Sequence, residues 1–426
     1  MRTFASLLER IPTGRLARNT VLTTGWMAAR VAAQACWVVM IARAIGPKGY
    51  GEFAGLAGLA TTLGALTGLG FGVLMLQDTS RDHTVFGACW KRALVLACVS
   101  GAFLMAIYLT IGPLVLDAGI GMLAYAAIGL PELVCFPLTI IASYAFQAHE
   151  RMGWAGALYT FIPAGNILAV GAFQAFAPQR VLASYLPFHA VGSMLAAACA
   201  TTLVYRLLSP KATAFSLGKR DVREGMGFSL MRLVETGMTS LDKTLVLKLG
   251  NSEIAGIYSS AYRLVSVLAV PATSLGMAVL PRLFRAYSDD RGQHGGLVRR
   301  MLVATCVYGL AAALAAWVLG DILPLLLGVQ FSGAALATRW LAPLPLIYGL
   351  YTLGCNVLVT SHRRYLRVLA QLAGMVLLVA TASFFVPRFG LDGAVATILV
   401  TQAASALLIW SLVRSGAPRV DARATP

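Results

Sequence analysis

Charge is what this 426-residue sequence has least of. Asp, Glu, Lys and Arg make up 12% of it and hydrophobic residues 58%, where an ordinary soluble domain has about 25% and roughly 45–50%. A single soluble core stops growing near roughly 250–300 residues, so a water-soluble globular chain is excluded. Paired cysteines are missing too. The seven (Cys36, Cys89, Cys98, Cys135, Cys199, Cys306 and Cys355) show no C-x-x-C spacing and lie in or beside apolar runs, so they read as small buried hydrophobes, not as disulfides or metal ligands. There is no P-loop, H-E-x-x-H, G-x-S-x-G or acidic metal cluster. Gly68-Leu69-Gly70-Phe71-Gly72 has no following Lys and reads, with Gly64-x-x-x-Gly68, as small-residue helix packing. An enzyme is therefore not expected, and neither is a cofactor.

What is present is a series of apolar runs of the length a helix needs to cross a bilayer, about 20 residues. Twelve spans are predicted at 20–45, 50–76, 88–111, 121–147, 153–175, 182–207, 225–249, 253–281, 297–320, 335–360, 366–386 and 391–413. Lys and Arg number 34 against 17 Asp and Glu. Counted on alternate sides of these spans, 24 basic residues fall on one face and 5 on the other. The rich side is the cytoplasmic one, so both termini are placed there. The same asymmetry accounts for the basic balance and removes the case for a nucleic-acid partner. The first apolar run is long and has no small-residue cleavage site, so it reads as a span and not a signal peptide. Before it, residues 1–19 put Phe4, Leu7, Leu8 and Ile11 on one helical face, as an interfacial amphipathic helix does. The expected organisation is that helix, an N-terminal six-helix lobe at 20–208, a cytoplasmic linker at 209–224, a C-terminal six-helix lobe at 225–414 and a tail at 415–426.

The two lobes resemble each other. Ile45-Gly46-Pro47-Lys48-Gly49-Tyr50-Gly51-Glu52-Phe53 joins the first span to the second, and Leu249-Gly250-Asn251-Ser252-Glu253-Ile254-Ala255-Gly256-Ile257-Tyr258 joins the seventh to the eighth. Gly70-Phe71-Gly72-Val73-Leu74 likewise corresponds to Gly276-Met277-Ala278-Val279-Leu280. A duplicated unit of six spans places both copies in the same orientation, with a substrate site expected between them.

Ionisable residues within spans cost at least about 2.5–3.5 kcal/mol when they face lipid. In the seventh span, Arg232, Glu235, Thr239, Asp242 and Lys243 share a helical face about 100° wide. In the first, Thr23, Trp26, Gln34 and Trp37 lie within roughly 40° of Arg30. Arg263 is deep in the eighth span, on a face with Ser259 and Ser266. Each of these reads either as a buried ion pair (Arg232 with Glu235; Arg30 or Arg263 with Glu132, Glu235 or Asp242) or as a ligand-binding side chain. Five intramembrane cations (Arg30, Arg232, Lys243, Arg263, Arg339) face three carboxylates (Glu132, Glu235, Asp242), and the excess favours an anionic ligand. Arg339 is near a span end, where it can snorkel. His189 reads as a packing histidine. Guanidinium forks suit phosphate, and indole faces suit sugar rings.

Ile41-Ala42-Arg43-Ala44-Ile45-Gly46-Pro47-Lys48-Gly49-Tyr50-Gly51-Glu52-Phe53 resembles the signature of the Wzx-type polysaccharide flippases, within the multidrug, oligosaccharidyl-lipid and polysaccharide exporter superfamily. Leu241-Asp242-Lys243-Thr244-Leu245, Tyr258-Ser259-Ser260-Ala261-Tyr262-Arg263 and Leu280-Pro281-Arg282-Leu283 resemble further motifs of that family in order and spacing. The resemblance implies an all-α integral membrane protein, with about twelve helices in two pseudo-symmetric six-helix bundles around a central lumen. It also implies movement of undecaprenyl-pyrophosphate-linked oligosaccharide from the cytoplasmic to the periplasmic leaflet of a bacterial inner membrane. Arg30, Arg263, Lys243 and Arg232 match its cationic lumen positions; Trp26, Trp37 and Gln34 are expected to line the substrate path. Asp242, Glu235 and Glu132 are expected to gate or couple. Membrane lipids and other polysaccharide-assembly membrane proteins are the partners this implies. A proton- or sodium-coupled drug exporter of the same superfamily and an integral-membrane glycan polymerase are the rival readings; the polymerase would want a large external loop, which the sequence lacks.

The charge count makes a direct prediction. A membrane-impermeant thiol reagent applied from outside should label a Cys introduced at Gln330 or Ala177 and spare one at Ser288 or Ala212, in a background without native cysteines. One reversed result overturns the orientation.

Overall fold

A computed structural model describes residues 15–116, 120–211, 217–289, 291–361 and 363–415. The amphipathic segment expected before the first span, as far as residue 14, and the tail beyond Ser415 lie outside the described residues. Every regular element among the described residues is helical. The elements are α1 (Arg15–Gly64), α2 (Phe71–Arg81), α3 (Phe86–Leu116), α4 (Met122–Leu130), α5 (Phe136–Ala148), α6 (Met152–Phe176), α7 (Leu182–Leu208), α8 (Lys219–Leu249), α9 (Ser252–Asp289), α10 (Arg291–Leu319), α11 (Ile322–Leu327), α12 (Gly333–Leu341), α13 (Leu344–Thr360) and α14 (Arg364–Ser415). A backbone donor or acceptor in hydrocarbon has no water to bond, so helices are what these apolar runs must form.

Eight of the described helices are long and apolar enough to cross a membrane unaided, and α12 with α13, bent by 48°, makes a ninth. Twelve passes result because two of the eight are double and two passes are assembled differently. α1 and α14 each contain a reversal, at Gly46 (φ 71°) and Gly390 (φ 54°), a backbone region open mainly to glycine. Pro47 then starts the second pass at the helix position where its missing N–H costs nothing. The seventh pass, α8, carries too many charges to qualify by apolarity.

The second pass is a correction to the uninterrupted span expected at 50–76. It stops at Gly64, makes a tight turn over Thr67–Gly70, and resumes as α2. Gly68 (φ 76°) and Gly70 (φ 75°) adopt positive φ with Leu69 (φ 47°) strained between them. These glycines therefore break a helix as well as packing one. The corresponding stretch of the second half lies within the uninterrupted α9. The fourth pass holds a second irregularity, a π-helical turn at Pro131–Cys135 between α4 and α5.

The chain divides into two compact units. The first comprises the residues up to Ile45 together with Leu59–Leu233; the second comprises Gly46–Gly58 and the residues from Val234 onward. In the first unit, Phe71, Met75, Phe86, Trp90, Phe146 and Leu158 form a buried apolar cluster, against which Val222 and Phe228 of α8 pack. Arg92 on α3 bonds Asp221 on α8 at 2.5 Å. Asp82 ends α2 by accepting from the N–H and O–H of Thr84 at 2.8 and 2.7 Å, which holds its carboxyl below the ordinary range. In the second unit, Met238, Tyr351, Cys355, Leu358, Ala370 and Ile409 make the corresponding cluster.

Gly51 and Gly256, from the two related hairpin sequences, meet backbone to backbone in the second unit: a Cβ on Gly51 would overlap the carbonyl of Ser252, and one on Gly256 the carbonyl of Pro47. Gly51→Ala should therefore destabilise the detergent-solubilised protein by about 3 kcal/mol, read as a lowered thermal-unfolding midpoint. Gly171, with nothing within 4 Å of its added Cβ, should accept Ala with a gain of up to about 1 kcal/mol.

Candidate functional site

In the second unit, α8 and α9 bring together the residues the sequence singled out most strongly. Asp242 is buried, 1% exposed. The Tyr258 hydroxyl donates to its Oδ2 at 2.6 Å, and Lys243 Nζ donates to its Oδ1 at 2.8 Å. Lys243 also donates to the Thr239 carbonyl at 2.8 Å and sits 3.8 Å from the centre of the Tyr262 ring. Asp242 and Lys243 are thus an ion pair lodged in a tyrosine cage. Tyr258 and Tyr262 are four residues apart and so share one face of α9. Thr244 ties this part of α8 to the Gly46–Gly58 segment by donating to the Gly55 carbonyl at 2.8 Å.

Arg263 follows Tyr262 on the same helix and acts electrostatically on Tyr50, Lys243 and Tyr262. Its Nε and the Ser259 Oγ, one turn back on the same face, are buried with no hydrogen-bond partner among the described residues. Buried donors in that condition are costly, by about 1–3 kcal/mol. They are the open positions of this cluster.

α8 is continuous from Arg232 to Lys243, so their shared face stands as the helical repeat sets it, while the boundary of the units falls between Leu233 and Val234, with Arg232 in the first and the rest in the second. Arg232 is directed at the Tyr144 hydroxyl. Glu235 is half exposed and lies 3.6 Å from Arg367 of α14, at the start of the span predicted at 366–386. The expected Arg232–Glu235 pair is therefore replaced by partners on other helices. Arg339 bonds Asp321 at 2.6 Å and lies 5.2 Å over the Trp317 ring, which takes it out of the excess of cations.

In the first unit the stripe around Arg30 is spent on neighbouring helices. The Arg30 guanidinium lies 5.4 Å over Tyr159 of α6, and Trp26 covers Gly156 of the same helix. Trp37 is buried; its indole N–H donates to the Tyr185 hydroxyl at 2.9 Å and its ring stacks on His189. Its expected place beside substrate thus becomes a place in the packing, and His189 has the packing role read from the sequence. Gln34 is half-buried. Glu132 is in the π-helical turn and accepts from the Thr61 hydroxyl at 3.0 Å.

The residues missed by sequence reasoning are the tyrosines, Tyr50, Tyr159, Tyr185, Tyr258 and Tyr262. The four-residue spacing of Tyr258 and Tyr262, followed by Arg263, was a usable signal. The others are scattered and become partners only through helix packing. Among the described residues, no three His, Cys, Asp or Glu side chains come together as a metal ion would need.

Chemically, this cluster of α8 and α9 holds a neutralised cation, a guanidinium with an open N–H, and an adjacent open hydroxyl. An anion arriving there would take Arg263 and Ser259 first, and then compete with Asp242 for Lys243. Tyr258→Phe should cost about 1–3 kcal/mol of stability. Asp242→Asn should cost more, about 3–5 kcal/mol, by stranding Lys243, and Lys243→Met added to it should recover most of that loss. Equal unfolding midpoints for Asp242→Asn with and without Lys243→Met would mean that the two side chains are not coupled.

Comparison with known proteins places this geometry. A family model described as "Polysaccharide biosynthesis protein" matches residues 16–287. No curated protein matches the sequence. Among solved structures, an inward-facing multidrug resistance MATE family transporter of the MOP superfamily aligns with a TM-score of 0.71 over 90% of this chain and 94% of that one, at 16% identity. The MATE multidrug transporter DinF-BH aligns at 0.63 over 96% of both chains, at 15% identity. A MOP superfamily transporter from Pyrococcus furiosus Vc1 (DSM3638) aligns at 0.60 over 94% of both, at 15% identity. At such identities the likeness establishes the fold: that of a twelve-helix membrane transporter.

Proposed function

We propose that the chain, which belongs to the polysaccharide biosynthesis protein family, is an alternating-access flippase. It moves a polyprenyl-pyrophosphate-linked oligosaccharide from the cytoplasmic to the periplasmic leaflet of a bacterial inner membrane. The observation that carries the reading is the open pair Arg263 Nε and Ser259 Oγ beside the caged Lys243. It is a cationic cluster on two apolar-length helices, of a chemistry suited to the phosphates of a lipid head group. In the first unit, Arg30, Trp26, Gln34 and Arg232 are the residues assigned to substrate.

In this reading Asp242 is the gate. While no phosphate is present it neutralises Lys243; when one arrives, Lys243 exchanges carboxylate for phosphate, giving a contact that exists in one state only. Glu235 and Glu132 are the further carboxylates that can change partners during the cycle.

Export of a drug-like cation is the second reading, favoured by the buried Asp242 and the half-buried Glu132 and by the transporters that share the fold. The solved Pyrococcus furiosus transporter is described as having a binding pocket of reverse polarity, in keeping with one scaffold accommodating both signs of charge. The two readings separate on Arg263. In cells whose surface-glycan export depends on this protein, Arg263→Ala at normal membrane levels should abolish export, and Arg263→Lys should retain part of it, since the charge survives without the fork. Arg30→Ala should behave likewise. Full export by both Ala variants overturns the head-group role, and dye resistance that rises in Arg263→Ala cells supports the exporter instead.

A further inference from the structure

The flippase reading leaves the lipid tail of the substrate unplaced, and one surface of the first unit accounts for it. α6 and α7 cross at Gly165 and Gly192, where a Cβ on either would stand 2.7 Å from the other's carbonyl oxygen. Beside the crossing is a cavity of about 600 Å³ walled by Phe161, Leu168, Phe188, Val191, Leu195 and Cys199. No charged side chain lines it. Leu168 and Leu195 are 74% and 62% exposed, so the cavity is a groove on the outside of the unit, at the depth of the hydrocarbon.

The groove floor is notched by small residues in a matched pattern: Gly165, Ala169 and Ala172 on α6, Gly192, Ala196 and Cys199 on α7. On each helix the steps are four and then three residues, one notch per turn of about 5.4 Å. An extended isoprenoid carries one methyl branch per four carbon–carbon bonds, a repeat of about the same length as that helical pitch. A straight acyl chain has no branches to set into such notches. From Phe161 to Ala172 the groove covers about 16 Å along the helix, about half the roughly 30 Å of hydrocarbon.

Its charge is at one end. On α7, Arg206 falls within about 20° of Leu195 around the helix and about 16 Å further along. On α6, Trp154 falls within about 40° of Leu168. Both side chains are exposed. The indole and the guanidinium stand about 10 Å beyond the groove's lining along their helices, toward the face that the distribution of Lys and Arg marks as cytoplasmic, at the level where a lipid phosphate lies.

We propose that the α6–α7 groove is a binding site for the isoprenoid chain of a polyprenyl phosphate in the cytoplasmic leaflet, with Arg206 on its phosphate. The site rests on the flippase reading but is separate from Arg263: it holds the carrier, whatever sugar the carrier bears.

The test uses the full chain in phosphatidylcholine nanodiscs with a diazirine-bearing polyprenyl phosphate that has no sugar. Photolabel should map to residues 161–199, and unlabelled polyprenyl phosphate should compete while dioleoyl phosphatidate at equal concentration does not. Ala164→Phe, which fills the groove from an exposed position, should lower labelling about ten-fold through lost apolar contact, and Ala164→Ser should not. Val191→Trp is the second filling variant should the first not fold. Arg206→Gln should weaken half-maximal labelling of residues 161–199 several-fold, whereas Arg388→Gln, an exposed cation with no role in either site, should leave it unchanged; the groove is read by labelling and the head-group site by glycan export, so failure of one is distinct from failure of the other. Label outside the groove, equal competition by the straight-chain phosphatidate, or undiminished labelling of both filling variants overturns the proposal.

Discussion

Inside a bilayer a polar group has only the protein to bond with, and that constraint orders the rest of this structure. It makes every apolar run a helix, and it also governs the places where a helix fails. Where the second pass breaks at Thr67–Gly70, the Gly68 N–H is taken by the Ser100 hydroxyl at 2.8 Å and the Thr67 hydroxyl donates to the Leu133 carbonyl at 2.9 Å. That carbonyl belongs to the π-helical turn of the fourth pass, so the two irregular segments of the first unit satisfy each other. The same rule gathers charges: Asp242 with Lys243 and Tyr258, Arg92 with Asp221, Arg339 with Asp321.

Because lipid is as apolar as leucine, burial of side chains gives little incentive for helices to associate, and close backbone approach replaces it. Gly51 with Gly256, Gly70 with Gly225 and Gly165 with Gly192 are all contacts that a methyl group would break. The hairpin signature around Gly46-Pro47-Lys48-Gly49-Tyr50-Gly51 is explained by this. Its first glycine reverses the chain, its proline starts the next helix, and Gly51 receives the other hairpin. It is a packing motif.

α8 has a particular position in the architecture. It is one helix of 31 residues, yet its first half packs into the first unit through Asp221, Val222, Gly225 and Phe228, while its second half presents Asp242 and Lys243 in the second. The charges that make it too polar to qualify as a span are the ones that the units use. An open guanidinium beside a caged ammonium is an arrangement that stability alone would not favour, since each buried unpaired donor costs free energy. Arg92, Arg339 and Arg367 also have an unpartnered Nε, but each of them has a carboxylate partner, and Arg263 has instead the caged Lys243 as its neighbour.

Much of this was legible in the sequence because it depends on composition and on periods along the chain. Apolar runs of bilayer length give the helices, the glycine and proline at 46 and 47 give the first reversal, and helical spacing puts Ser259 and Arg263 on one face. Whether a span holds together was less legible: Gly68 and Gly70 suit close packing and positive φ equally, and only the surrounding helices decide between them. Partner choice was not legible at all. Glu235 meets Arg367, more than a hundred residues away, instead of Arg232 three residues away; Trp37 bonds Tyr185; Arg339 finds Asp321. Sequence spacing determines which side chains share a face of one helix, since that depends on the helical repeat alone. Which face meets which neighbour is decided by packing among helices distant in sequence, and ion pairs, cages and open donors exist only after that choice is made.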